Sequence, residues 1–96
     1  MPDRIHPQGT DLFQRIIDAA AARARIALGD RPMLRRCEDV TIGCGHGELR
    51  FEAWCVREGD GLATITALAT SRDGQGQERM AAAGRFTFGV DREGLE

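Results

Sequence analysis

The chain has 96 residues, enough for one domain, with 13 basic side chains, every one an arginine, against 15 acidic ones. The formal charge of −2 excludes the strongly basic footprint of a nucleic-acid binder, and the longest apolar run, Ala19 to Ala22, is far too short to span a bilayer. Four Phe and one Trp, with no Tyr, leave Ala, Leu and Ile to fill the core, and so small a domain is expected to cover leftover apolar area by self-association.

Residues Met1 to Gly9 hold Pro2, Pro7 and Gly9 and read as an irregular lead-in. Thr10 to Leu28 is patterned as an amphipathic helix. Leu12, Phe13, Ile16, Ile17, Ala20, Ala24, Ala27 and Leu28 recur at three- and four-residue spacing along one stripe. Thr10 is placed as the N-cap, Asp11 complements the positive end of the dipole, and Gly29 followed by Pro32 ends the helix.

Everything that follows is patterned as strand. Met33 to Ile42 comes first, and Gly43-Cys44-Gly45-His46-Gly47 turns the chain. Glu48 to Arg57 sets Leu49, Phe51, Ala53 and Cys55 on one face against Trp54 and Val56 on the other, and Glu58-Gly59-Asp60-Gly61 is a hairpin signal. Leu62 to Ser71 alternates Ala63, Ile65, Ala67 and Ala69 with Thr64, Thr66 and Thr70, and Asp73-Gly74-Gln75-Gly76 turns again. Gln77 to Val90 carries Met80, Ala82, Gly84, Phe86, Phe88 and Val90 at period two, before a polar tail from Asp91 to Glu96. Consecutive strands joined by short turns pair as neighbours, so the expectation is one α+β domain over residues 1–96, a helix at 10–29 covered by an antiparallel sheet from 33–90. Cys37, Cys44 and Cys55 are an odd count with no secretory signal before them, which points to free thiols in a reducing cytoplasm.

Three stretches carry a family likeness, and their order and spacing give it weight. The first is His6-Pro7-Gln8-Gly9-Thr10-Asp11-Leu12-Phe13 with Asp18-Ala19-Ala20 after it; the second is Gly47-Glu48-Leu49-Arg50-Phe51-Glu52-Ala53-Trp54-Cys55-Val56-Arg57-Glu58-Gly59. The third is the closing Arg85-Phe86-Thr87-Phe88-Gly89-Val90-Asp91-Arg92-Glu93-Gly94. Together they resemble the hotdog-fold acyl-CoA thioesterase (acyl-CoA hydrolase) family, in a shortened and divergent form. The Gly-Gly that follows the family's Leu-Phe pair is replaced by Gln14-Arg15, and the stretch after Ile42 is trimmed.

The resemblance implies a hotdog fold of one central helix wrapped by four or five antiparallel strands, assembled as a homodimer or a higher homo-oligomer. It implies hydrolysis of an acyl-CoA or similar acyl thioester, with CoA entering as part of the substrate and no cofactor or metal required. Asp18 becomes the base or nucleophile, a role that needs partial desolvation to raise its basicity. His6, Gly9, Thr10 and Phe13 become substrate contacts, where amides at the helix N-terminus polarise the carbonyl. Each has a plainer alternative. Asp18 follows Arg15 by three residues and precedes Arg25 by seven, so an ordinary solvated ion pair is open to it. Pro7 and Gly9 suffice to shape a turn. Cys44 and His46 do not match zinc-ligand spacing, and the Gly43 to Gly47 cluster lacks the Lys-Ser/Thr of a phosphate loop. The competing functions are a non-catalytic hotdog that binds acyl thioesters or serves in assembly, and a dehydratase using His6 with Asp18.

Overall fold

The computed structural model describes residues 8–43 and 47–90. Helix α1 (Gln8–Leu28) is followed by strands β1 (Pro32–Ile42), β2 (Glu48–Gly59), β3 (Leu62–Arg72) and β4 (Glu78–Val90). The four strands form one antiparallel sheet in the order β1-β4-β3-β2, and α1 packs across one face of it.

Alanine spacing sets that packing. Leu12, Ile16, Ala20 and Ala24 lie four apart on α1, each buried, and meet Ala63, Ile65, Ala67 and Ala69 of β3 with Ala81, Ala82, Phe86 and Phe88 of β4. Small side chains on both surfaces let backbone approach backbone, so the aromatic rings of β4 supply most of the bulk. Phe13 at the edge of the cluster meets Phe86 with ring centroids 6.5 Å apart. Gly84 makes room for Phe86, since a Cβ there would lie 2.7 Å from the ring's Cζ atom.

The helix ends as expected, with Gly29 in the left-handed region (φ 97°) and its N–H donating to the Arg25 carbonyl at 2.9 Å. Its start differs. The backbone is helical from Gln8, so Gly9 and Thr10 lie within the first turn, and Thr10 is not the N-cap. First-turn N–H groups lack an intrahelical acceptor in any case, so Gly9 forfeits little there.

Hairpin pairing joins β2 to β3 and β3 to β4 but not β1 to β2. The first strand pairs with β4 at the far edge, and Gly43 N–H donates to the Ala81 carbonyl at 2.7 Å. The glycine-rich segment therefore links opposite edges of the sheet. Gly47, at φ 78°, passes so close to the Arg72 carbonyl that a Cβ would collide with it.

Bulges also break the expected alternation. Thr70 pairs with Met80 while Ala69 pairs with Ala82, which leaves Ala81 as an extra residue in β4. Ala81 and Ala82 are both buried as a result, and Met80 is turned outward, 53% exposed, off the face its period-two position predicts.

Candidate functional site

Asp18 sits on α1 half a turn away from Ile16 and Ala20, opposite the buried stripe, and is exposed in the single chain. Gln14, four residues earlier and so directly below it on the helix, donates from Nε2 to Asp18 Oδ1 at 2.9 Å. The expected arginine pairing does not form. Arg15 instead lays its guanidinium over the Phe51 ring, 5.0 Å from the centroid, and among the described residues no arginine stands in ion-pair range of Asp18. The carboxylate is thus held through one oxygen by a neutral amide, and among the described residues its second oxygen has no side-chain partner.

The other sequence-selected positions fall in different settings. Gly9 and Thr10 belong to the first turn of α1, two turns of helix before Asp18. Phe13 is half-buried against Phe86. His6 lies outside the described residues, as do Cys44 and His46. Among the described residues no group of three or more His, Cys, Asp or Glu side chains is placed to hold a metal, and no helix is long and apolar enough to cross a membrane. Cys37 and Cys55 are free thiols. Gln14 escaped the reading of the sequence, although its i, i+4 spacing to Asp18 was available as a signal.

Two shallow depressions of about 230 Å³ each lie away from Asp18. The first runs along the end of the sheet between Glu48, Arg50, Thr70, Arg72 and Glu78. Two of its charges pair: Arg72 Nη2 donates to Glu78 Oε2 at 2.9 Å, which holds the Glu78 carboxyl below its ordinary range and the Arg72 guanidinium above its own. The second lies on the sheet face that α1 does not cover, lined by Arg36, Glu38, Val56, Arg57, Thr64, Arg85 and Thr87.

No family model matches the chain, and no curated protein does. Solved structures do. A hexameric broad-specificity acyl-coenzyme A thioesterase, determined as an aspartate-to-alanine mutant, superimposes with a TM-score of 0.80 at 14% identity, over 100% of this chain and 77% of that one. A hexameric thioesterase from Yersinia pestis gives 0.78 at 19% identity, over 90% of this chain and 73% of its own. A hexameric hotdog fold thioesterase of Campylobacter jejuni gives 0.74 at 18% identity, over 92% and 75%. One helix against four antiparallel strands, matched to these proteins along nearly its whole length, makes this chain a hotdog fold, far diverged in sequence from the thioesterases it resembles.

Proposed function

We propose that the chain hydrolyses an acyl-CoA or a related acyl thioester, with Asp18 as the group that drives the attack. The observation that carries this reading is the fit to thioesterases of the same fold, combined with a helix carboxylate on the α1 face that the sheet leaves bare. In one route Asp18 removes a proton from water as the water oxygen bonds to the carbonyl carbon. Collapse of the tetrahedral adduct breaks the C–S bond, and the thiolate leaves to be protonated as a free thiol. In the other, a carboxylate oxygen attacks the carbonyl carbon and expels the thiolate, which is protonated as the free thiol, and water then cleaves the resulting anhydride to the free acid and the restored carboxylate. Gln14 favours either route by fixing one carboxylate oxygen with a hydrogen bond.

The proposed assembly is a homodimer or a higher homo-oligomer, in line with the hexamers among the structural neighbours. A second subunit over α1 supplies the desolvation that Asp18 lacks in the single chain. Gly9, Thr10 and Phe13, in the first two turns of α1, are proposed substrate contacts together with His6. The chemistry calls for no cofactor, because a thioester is already an activated acyl group. The cytoplasm is the proposed compartment, since Cys37 and Cys55 are thiols.

A second reading, a thioester-binding hotdog without turnover, is favoured by one observation: Asp18 is exposed and hydrogen-bonded to Gln14 as a surface carboxylate would be. Turnover of an acyl-CoA panel, followed by thiol release, separates the two. The expected result is hydrolysis that falls by at least about a hundredfold in Asp18→Ala, with thermal stability and oligomeric state kept. Unchanged turnover in that variant removes Asp18 from the mechanism. Binding of CoA esters without thiol release selects the second reading.

A further inference from the structure

The sheet face turned away from α1 carries a feature that simple strand alternation does not produce. Thr64 of β3 and Thr87 of β4 are cross-strand partners whose hydroxyls share a hydrogen bond, 3.1 Å between oxygens. Their row continues outward to Arg57 on β2 and Arg36 on β1, so two short side chains form a floor between two long cationic ones.

A bulge delivers each of these arginines. In β2, Cys55 pairs with Ile65 and Arg57 with Thr64, which leaves Val56 extra; strict alternation would have sent Arg57 to the face that carries Cys55. In β1, Leu34 pairs with Phe88 and Arg36 with Thr87, which leaves Arg35 extra and turns Arg36 onto the same outer face. Two irregularities on opposite edges of the sheet thus put two arginines on the face, and in the hollow, that holds this pair of hydroxyls. Arg85, one row along, forms a further wall and is tied to Asp39. Asp39 itself reaches Arg85 from a third irregularity, where it adopts a left-handed backbone at φ 55°.

The balance of charge in the hollow favours an anion. Arg85 is matched by Asp39, and Arg36 is only loosely matched by Glu38 at 3.4 Å. Arg57 has no carboxylate in ion-pair range among the described residues. The geometry points to a binding site for a phosphate or diphosphate group over Thr64 and Thr87, held between Arg57 and Arg36 on the sheet face opposite Asp18. Guanidiniums supply paired N–H donors to phosphoryl oxygens, and the two threonine hydroxyls, now satisfying each other, have lone pairs and protons to redirect. A hollow of about 230 Å³ suits a diphosphate-sized group rather than a whole nucleotide, so any larger ligand extends beyond it.

Because this site is remote from α1, its test needs no turnover. Trp54, the only tryptophan of the chain, pairs with Thr66 in the adjacent row of the same face and reports occupancy through its fluorescence. Inorganic pyrophosphate titrated into the full chain is expected to give a saturable change, weakened roughly tenfold or more in Arg57→Ala and in Arg36→Ala. Arg31→Ala removes the same charge from an exposed loop and is expected to bind as the parent does. Free CoA added in competition identifies the source: displacement of pyrophosphate assigns the hollow to the phosphates of CoA, and none assigns it to a separate phosphorylated ligand. Absence of saturable binding at millimolar pyrophosphate overturns the site, as does equal loss in Arg31→Ala or parental affinity in Arg57→Ala.

Discussion

Asp73 shows how one side chain fixes a local shape that composition only hints at. Its Oδ1 accepts from the backbone N–H groups of Gln77 and Gln75, both at 2.9 Å, while its carbonyl accepts from Gly76 N–H. These hydrogen bonds, Gln77 first, hold the carboxyl below its ordinary value. A carboxyl depressed in the folded state contributes stability that is present above its unfolded value and is lost as pH falls through the folded one. The β3–β4 turn is therefore expected to loosen only in acid, below about pH 4. Thermal midpoints recorded from neutral to acid pH should drop less steeply for Asp73→Asn than for the parent, because the amide oxygen accepts the same bonds without titrating; identical profiles would remove Asp73 from the acid response. The turn was legible from Asp73-Gly74-Gln75-Gly76, since such residues tolerate tight geometry and accept from nearby backbone. Asp18 was legible only halfway. Helical periodicity puts it opposite Ile16 and Ala20, but the Phe51 ring that draws Arg15 aside comes from a strand 36 positions later in the chain, a tertiary contact no local pattern carries.

At the scale of elements, periodicity located all four strands to within two residues at either end, and the buried stripe of α1 is the one its spacing predicts. Alternation failed where a strand gained a residue. Nothing in the composition around Val56, Arg35 or Ala81 marks an insertion, because a bulge is fixed by the partner strand's register and not by local preference. The β1–β4 pairing was equally hidden, since the Gly43 to Gly47 segment is short enough for a hairpin and only the completed sheet order shows otherwise. The close fit between α1 and the sheet, by contrast, follows from residues in plain view. Ala20 and Ala67 are both fully buried within the same cluster, and a larger side chain has nowhere to go. Ala20→Leu is expected to destabilise the fold by about 1–3 kcal/mol through overpacking, whereas Ala22→Leu, on the exposed side of α1, should change little. Denaturant midpoints at constant m-value measure both, and equal midpoints would mean that helix and sheet are not in close contact at Ala20.

Among the described residues the sheet has two open edges, β1 and β2, each carrying charged side chains and bulges yet each long enough to pair with another chain. Edge strands avoid pairing with other chains by carrying charge or by being short. Here β1 is 11 residues and β2 is 12, and each bears exposed apolar side chains: Met33 and Leu34 on the first, Trp54 at 44% and Val56 at 50% on the second. Such side chains beside unpaired backbone N–H and C=O groups favour continuation of the sheet by a second copy, which satisfies the ladder and removes the apolar area from water together. The bare outer face of α1, with Ile26 at 75% exposure in its last turn, gives a further surface for subunits to meet. Light scattering is accordingly expected to return at least twice the mass of one chain at micromolar concentration. Dilution should then dissociate the assembly and abolish thioester turnover at the same concentration, because a carboxylate on an uncovered helix face is desolvated only by a partner. Turnover that persists in a demonstrated monomer would place the catalytic group somewhere other than the outer face of α1.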